Sequence, residues 1–355
     1  MGLGKIPALD GRIVVNVRSL TAHLSGVQRY VGELCARFGE KLQSVAPTKP
    51  LQGIRGHVWE QCWLPAKIHS RLLWSPANTG PLFLRHQVVT VHDVAALDHP
   101  EWFSPKFSGW YRWMVPRLVR SACQVIAVSE FTKNRLAEVV GVDRSKIEVI
   151  PNGVDQRFRL CTPEEVAAVR EQLRIPSQRY VLSLGTLEPR KNLRGQLEAW
   201  SRCVGRVPAE TWLVVAGGVG QRHIFSGMNA GPVPDRVHFA GFVPDANLPA
   251  LYSGSLALLY PSFYEGFGLP ALEAMASGTV PIVSNSTALP EVVADGALTV
   301  DPYDSESIAE ALALLVTKPQ MRLELRERAM RRARAFNWER TAARTWQVLS
   351  HASAR

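Results

Sequence analysis

One stretch, residues 256–278, limits the possible folds most strongly because it combines a strand, a glycine loop and a helix in immediate succession. Residues 256–260 form a short apolar run closed by a proline, which is typical of a buried strand. Gly266 and Gly268 follow, and backbone without a side chain can approach a ligand closely. Pro270 suits the first helical position. The unpaired N–H groups at such a helix start favour an anion, so the stretch predicts a phosphate site.

Two carboxylates bracket this loop. Glu265 precedes the glycines, and Glu273 is expected in the first turn of the helix. A carboxylate in a first turn also suits the helix dipole, and that is the alternative interpretation of Glu273. Carboxylates are strong acceptors for sugar hydroxyls, so both residues would suit a ligand that carries a sugar and phosphates.

Glu265 in Tyr-Glu-Gly-Phe-Gly-Leu-Pro, followed after seven residues by Glu273, resembles the signature of the retaining glycosyltransferases of family 4 (glycosyl transferases group 1). The sequence looks most like bacterial mannosyl- and rhamnosyltransferases of surface polysaccharide assembly. The resemblance covers nearly the whole chain and is most specific over residues 180–300. It implies an α/β protein with the GT-B fold, in which two Rossmann-like, doubly wound parallel-sheet domains face each other across a cleft.

Length and composition agree with two globular domains. The chain has 355 residues and no apolar run long enough to span a bilayer. Its five cysteines have no metal-type spacing, which favours reduced thiols in a cytoplasm. The net charge is +10, and residues 1–150 hold 19 Lys and Arg against 11 Asp and Glu. Such a basic half indicates nucleic acid, a diphosphate or an acidic membrane as partner, or only ordinary solubility charge.

We expect four segments in the chain. Residues 1–160 form an N-terminal Rossmann-like domain on the acceptor side, and a capping box at Thr162 opens a linker helix within 161–177. Residues 178–336 form the C-terminal domain that binds the nucleotide-sugar. Residues 337–355 form a helix that crosses back to the N-terminal domain, as the resemblance implies.

The resemblance also assigns site residues. Family members bind the donor diphosphate with an Arg and a Lys in a loop after a strand, here Arg190 and Lys191. Many members have Arg directly after the first glycine of that loop, whereas this chain has Thr186, so the cationic role falls on the other two. Glu265 would orient the donor sugar and Glu273 would bind the ribose.

Further candidates come from other loops. His92 ends a strand, where sites of doubly wound sheets form, and the family has a histidine there beside the donor sugar. We expect His92 and Glu265 to be catalytic. The expected donor-binding residues are Gly26, Arg190, Lys191, Val243, Gly266, Phe267, Gly268, Leu269 and Glu273.

The implied reaction moves a sugar from a nucleotide-sugar, GDP- or UDP-linked with GDP-mannose as first choice, to a saccharide hydroxyl with retention. The absence of an Asp-x-Asp motif leads us to expect no metal and no other cofactor. A lipid-linked acceptor would bring a cytoplasmic enzyme into peripheral contact with the inner membrane. The aromatic and basic segment 100–120 either rests at that membrane or packs in the core.

Three alternatives remain. A nucleotide-sugar epimerase of the same fold would share the phosphate loops. A nucleic-acid-binding protein would explain the charge, but no recognisable module is present, and we expect no nucleic-acid partner. A scaffold without activity would leave the candidate site residues without a chemical reason.

Overall fold

A computed structural model of the chain describes residues 13–21, 26–51, 53–68, 70–186, 188–218 and 233–354. Contacts between residues divide it into two units. The first unit comprises residues up to 98, residues 109–153 and residues from 338 onward. The second comprises residues 99–108 and 154–337. The second unit therefore takes in residues 99–108 and 154–160 from the first 160 residues.

Each unit contains a six-stranded parallel sheet. The strands of the first sheet are β1 (Ile13–Asn16), β2 (Leu42–Val45), β3 (Leu72–Ser75), β4 (Gln87–Val91), β5 (Gln124–Ala127) and β6 (Ile147–Val149). Those of the second are β7 (Arg179–Leu184), β8 (Thr211–Ala216), β9 (Val237–Gly241), β10 (Ala257–Tyr260), β11 (Pro281–Ser284) and β12 (Leu298–Val300).

Helices connect these strands and cover the sheets. In chain order they are α1 (Gly26–Phe38), α2 (Gly53–Ala66), α3 (Ala95–Asp98), α4 (Pro105–Ser121), α5 (Glu130–Arg135), α6 (Pro163–Gln172), α7 (Leu193–Cys203), α8 (Leu248–Ser253), α9 (Leu269–Ala276), α10 (Leu289–Val293), α11 (Ser305–Thr317), α12 (Pro319–Ala333) and α13 (Trp338–Ser353). A π-helical turn over residues 136–140 continues α5.

The strand orders are those of doubly wound sheets. The first sheet runs β2-β1-β3-β4-β5-β6 and the second β12-β11-β10-β7-β8-β9. Helices on both faces bury the inner strands of such a sheet, which explains why β1, β3, β4, β10 and β11 are buried along their whole length. In each order the chain reverses direction across the sheet at one point, between β1 and β3 and between β7 and β10. Ligands of doubly wound sheets bind beside the carboxyl ends of strands at such a point.

The last helix belongs to the first unit. Trp338, Trp346 and Leu349 of α13 are buried in the same apolar cluster as Ile13 of β1 and Trp74 of β3. The first sheet therefore completes its core with the end of the chain.

The aromatic and basic segment divides between core and surface. Met114, Val115 and Leu118 of α4 are buried in the first unit's core, whereas Trp113 on the same helix is 43% exposed. Among the residues that the structure describes, no helix is both long and apolar enough to cross a bilayer.

Candidate active site

The reversal point of the second sheet brings two loops together. One loop follows β7 and carries Arg190 and Lys191, and the other follows β10 and carries Glu265. The ammonium of Lys191 lies 2.7 Å from one carboxylate oxygen of Glu265, and the guanidinium of Arg190 lies 3.6 Å from the other. The backbone joins the loops as well, since the N–H of Phe263 donates to the carbonyl of Arg190 over 2.8 Å. Both predicted cations thus meet the predicted catalytic carboxylate.

Two further side chains complete this group, which we call the charged cluster: Glu188, Arg190, Lys191, Tyr260 and Glu265. Arg190 donates to Glu188 over 2.7 Å, and Lys191 donates to the hydroxyl of Tyr260 over 2.7 Å. Its two cations and two carboxylates balance in charge. Glu188 and Tyr260 were not among the predicted site residues, although both stand inside motifs that carried the prediction.

Both carboxylates of the charged cluster are buried and yet ionised. Burial alone would raise the pKa of Glu265, but the cations of Lys191 and Arg190, with hydrogen bonds from Lys191 and Tyr260, outweigh it and lower that pKa below the ordinary value. The pKa of Glu188 is likewise lowered, because Arg190 and Lys191 outweigh its burial. Desolvation raises the pKa of Tyr260 well above its usual value, which keeps the hydroxyl protonated. The site is therefore an array of fixed charges at neutral pH.

The glycine loop ends in a helix start. Gly268 has a φ of +101° and is the N-cap of α9, and a Cβ there would lie 2.5 Å from a methyl carbon of Leu289. Leu269 is consequently the first helical residue, and Pro270 follows it. Phe267 is buried, and its ring meets that of Phe336 edge-on at 5.9 Å. The N–H groups of this first turn have no side-chain cap, as suits an anion site.

Glu273 lies just beyond the first turn of α9. The first turn of α9 contains no acidic residue, because the helix begins at Leu269 rather than Pro270. The expectation that Glu273 occupies the first turn is therefore wrong. The side chain is 4% exposed and accepts a hydrogen bond from the hydroxyl of Tyr252 over 3.1 Å. The helix-dipole interpretation of this carboxylate loses its basis.

Two predicted donor-binding residues lie in other loops. Val243 is buried and follows β9 at the edge of the second sheet opposite β12. Gly26 is the first residue of α1 in the first unit, and residues 22–25 of its loop lie outside the described residues. Residues 219–232, which include part of the glycine turn after β8, also lie outside them.

His92 follows β4 in the first unit and is buried. Its Nε2 lies 2.8 Å from the carbonyl of Pro76, which can only accept, so Nε2 carries the proton in this arrangement. Its backbone N–H donates to Asn78, and its ring meets that of Tyr30 edge-on at 4.8 Å. Burial lowers the pKa of His92 below 6.5, although the Pro76 carbonyl and Asp93 oppose this. The imidazole is neutral at pH 7.

A buried acid at the reversal point of the first sheet escaped the sequence analysis. Glu60 of α2 is 1% exposed and accepts hydrogen bonds from Asn16, which ends β1, and from Thr79, which follows β3. Arg18 lies 3.0 Å from the same carboxylate. These partners stand up to 44 residues away in the chain, so no local pattern could reveal the network.

Within the described ranges, no group of three or more His, Cys, Asp or Glu side chains could hold a metal ion.

Comparison with known proteins gives consistent matches. A family model described as Glycosyl transferases group 1 matches residues 166–335, and one described as Glycosyltransferase Family 4 matches residues 65–158. O-antigen chain mannosyltransferase B of Escherichia coli is 29% identical over 291 residues, covering 81% of this chain and 76% of that protein. O-antigen chain mannosyltransferase RfbU of Salmonella typhimurium is 30% identical over 279 residues, covering 76% and 73%.

Solved structures of similar fold agree. Sucrose-phosphate synthase from Thermosynechococcus elongatus has a TM-score of 0.75 at 21% identity, with 97% of this chain and 99% of that one covered. Anabaena HepE in complex with UDP and glucose has a TM-score of 0.73 at 18% identity, with 96% and 99% covered. WaaG, a glycosyltransferase involved in lipopolysaccharide biosynthesis, has a TM-score of 0.72 at 15% identity, with 95% and 99% covered.

Proposed function

The chain belongs to the group 1 glycosyl transferases of family 4 and has the GT-B fold, and from this premise we propose that it transfers mannose from GDP-mannose to a saccharide hydroxyl with retention of the anomeric configuration. The observation that carries the proposal is the meeting of Arg190 and Lys191 at Glu265, beside the loop that starts α9. That arrangement suits a substrate with a sugar at one end and a diphosphate at the other.

The reaction breaks the bond between the anomeric carbon and a phosphate oxygen, which leaves positive character on the sugar and negative charge on the diphosphate. Arg190, Lys191 and the N–H groups at the start of α9 stabilise the departing charge. Each fixed donor contributes about 3 kcal/mol, by analogy with donors that bind a developing oxyanion. The new bond forms from the acceptor oxygen to the same face of the sugar, and the departing phosphate oxygen takes the hydroxyl proton.

Lys191 fits this role in detail. An ammonium group has three N–H donors, and the bonds to Glu265 and Tyr260 use two of them. The third is available for a phosphate oxygen. Because Glu265 and Tyr260 already hold the ammonium, the enzyme would lose little freedom of this side chain when the donor binds.

The remaining site residues act on the other parts of the donor. Glu265 orients the sugar through its hydroxyls, and Glu273, held by Tyr252, binds the ribose. Backbone at Val243 receives the base, and Gly266, Phe267 and Leu269 shape the phosphate loop. His92, neutral and held by Pro76, hydrogen-bonds the sugar, and Gly26 brings the start of α1 close to the substrates.

Mannose is favoured by the O-antigen mannosyltransferases among the relatives. Their names also support an acceptor in a growing surface polysaccharide, which we take to be lipid-linked. We further propose that no metal takes part, because the cations of the charged cluster meet the diphosphate directly. Activity should then survive treatment with EDTA.

A lipid-linked acceptor requires contact with a membrane, and α2 offers a suitable surface. Ile54, Val58 and Trp63 on this helix are 78%, 44% and 57% exposed. The cations Arg55 and Lys67 are exposed beside them. Exposed apolar side chains with neighbouring cations give a protein affinity for an anionic bilayer, and here Ile54 and Val58 lie in the first half of α2 and Trp63 near its end. We propose that α2 makes the peripheral contact that we first considered for residues 100–120.

The direct test incubates the enzyme with radiolabelled GDP-mannose, with and without mannose oligosaccharides as acceptors. We expect label in a longer oligosaccharide only when acceptor is present, with α configuration by NMR, as in the donor. Label in an altered sugar nucleotide without acceptor would instead identify an epimerase. Transfer from UDP-glucose but not from GDP-mannose would overturn the choice of donor.

A further inference from the structure

We propose that a row of stacked rings beside the charged cluster is the platform on which a pyranose ring of the saccharide acceptor lies. This inference rests on the proposed glycosyl transfer and adds a binding surface to it. We call the row the ring ladder, and its members are His99, Trp102, Phe263 and Tyr303. All four belong to the second unit. His99 and Trp102 come from residues 1–160, the part of the chain that we expect on the acceptor side.

The rings of the ladder stack nearly parallel. The rings of Tyr303 and Phe263 lie 4.7 Å apart at 26°, those of Phe263 and Trp102 6.3 Å apart at 27°, and those of Trp102 and His99 3.9 Å apart at 12°. Offset stacking is a favoured arrangement of aromatic pairs. Because the inner rings cover one another, the ring face that such a row leaves open is that of an end ring.

The ladder is fixed to the charged cluster by hydrogen bonds. Phe263 stands two residues before Glu265, and its N–H donates to the carbonyl of Arg190. The side-chain amide of Asn192 donates to the carbonyls of Pro261 and Pro302 over 3.1 and 2.7 Å. Pro302 directly precedes Tyr303 in the sequence. The loops that carry Phe263 and Tyr303 are therefore held by the same segment that carries the two cations.

The outer end of the ladder is open. Tyr303 is 74% exposed, although one face of its ring lies against Phe263. Exposed aromatic surface that adjoins a charged site is typical of a binding surface. One face of a pyranose ring presents C–H groups that pack on an aromatic ring, while its hydroxyls point outward to polar partners. The C–H face of a saccharide would pack on the ring ladder, and its hydroxyls would meet the charged cluster.

The position of the ladder in the sheet favours a saccharide over the base of the donor. Tyr303 follows β12 at one edge of the second sheet, whereas Val243, the expected neighbour of the base, follows β9 at the opposite edge. A base bound near Val243 would leave the ladder to another substrate. The acceptor is the remaining one.

The test compares Tyr303→Leu with Tyr303→Phe, using GDP-mannose as donor and mannotriose as acceptor. Because Tyr303 is exposed, neither change removes core packing. We expect Tyr303→Leu to raise the KM for mannotriose about three- to tenfold, since it keeps apolar character but loses the ring. Tyr303→Phe keeps the ring and should stay within about twofold. The affinity for GDP should be the same in both variants.

Three outcomes would overturn the inference: an unchanged KM in Tyr303→Leu, an equal loss in Tyr303→Phe, or a loss of GDP affinity that would make the ladder a base platform. Saturation-transfer NMR of mannotriose binding to the wild type and Tyr303→Leu, without donor, separates this inference from the proposed function. Binding that depends on the ring would support the platform even if mannosyl transfer failed. Absence of binding to the wild type would contradict the platform even if transfer occurred. Phe83→Leu, another exposed aromatic residue, is the control.

Discussion

Glu265 is the buried carboxylate on which both cations of the charged cluster converge. We expect Glu265→Gln to lower kcat by about a hundredfold or more, because an amide cannot supply the charge that orients the donor and the cations. The affinity for GDP should change little, since Arg190 and Lys191 remain. Steady-state kinetics and nucleotide titration measure the two effects separately. A parallel loss of GDP affinity would contradict the role of Glu265 in sugar orientation.

The same substitution has a cost in stability. It leaves Lys191, whose side chain is 14% exposed, without its anionic partner, and we expect a loss of about 3 kcal/mol in the free energy of unfolding. Glu306→Gln is the matched control, because Glu306 pairs with Arg206 on the surface. Loss of such an exposed pair should leave the free energy of unfolding nearly unchanged.

His92 should make stability depend on pH. Its folded pKa is lowered by burial, so the unfolded chain takes up a proton first as pH falls. The resulting stabilisation is fully present above about pH 6.5 and is lost as pH falls through the folded pKa. We therefore expect the difference in free energy of unfolding between wild type and His92→Asn to shrink from pH 7.5 to pH 5. Chemical denaturation at several pH values measures it, and a constant difference would contradict a buried neutral imidazole.

The meeting of Arg190, Lys191 and Glu265 could be predicted because their loops follow strands that are neighbours in any doubly wound sheet of this order. Glu188 could not be assigned in the same way. A sequence does not reveal that a carboxylate two residues before an arginine turns back to bind it. Glu60 was beyond prediction for a stronger reason, since its partners stand at the end of β1, just after β1 and after β3, far from α2 in the sequence.

At the scale of elements, Asn192 connects three strands of the second sheet. It occupies the left-handed region at φ +55°, caps α7 by accepting from the N–H of Gly195, and donates to carbonyls after β10 and β12. Asparagine tolerates this backbone conformation better than most residues. Its amide therefore holds the loops of the charged cluster and the ring ladder together.

We expect Asn192→Asp to keep the helix cap but to lose both donated bonds and to turn a carboxylate oxygen toward the carbonyls of Pro261 and Pro302, with a loss of about 3 kcal/mol or more in stability. Asn192→Ala loses the cap and both bonds but adds no buried charge, so it should cost less than Asn192→Asp. Thermal or chemical unfolding gives both values. An Asn192→Asp variant as stable as the wild type would show that the two donated bonds contribute nothing.

The sequence predicted some helix boundaries correctly. The capping box at Thr162 is present, with Glu165 bonded back to the N–H of Thr162 over 2.8 Å. By contrast, no element was expected over 42–45, 53–66 or 72–75. Strand β2 (42–45) has two exposed residues in its middle, and helix α2 (53–66) presents apolar side chains to solvent. Neither element therefore shows the regular spacing of apolar residues by which a buried strand or helix is recognised in a sequence. Tertiary packing determines both.

For the molecule as a whole, nucleotide binding is the broadest test of the proposal. A ligand at one hundred times its Kd raises the free energy of unfolding by about 2.7 kcal/mol. We expect GDP to raise the melting temperature and NAD to leave it unchanged, which differential scanning fluorimetry measures. A larger shift with UDP than with GDP would contradict the assignment of the base.

The membrane surface on α2 is tested by flotation with vesicles. We expect wild type to bind vesicles of phosphatidylcholine and phosphatidylglycerol, and Ile54→Ser with Trp63→Ser to weaken binding about tenfold or more. Vesicles without phosphatidylglycerol should bind less, because the cations then lack a partner. Phe83→Ser, a change at another exposed aromatic residue, should bind like wild type. Equal binding by the double variant would exclude α2 as the contact.

The placement of α13 has a consequence for synthesis. The sheet made first cannot close its core until the ribosome has released residues 338–353, because Trp338 and Trp346 fill it. The second sheet, complete at residue 300, has all of its strands long before that. We therefore expect the first unit to complete its folding after the second unit during synthesis. A fragment that stops near residue 153 should become compact only when the C-terminal peptide is supplied separately.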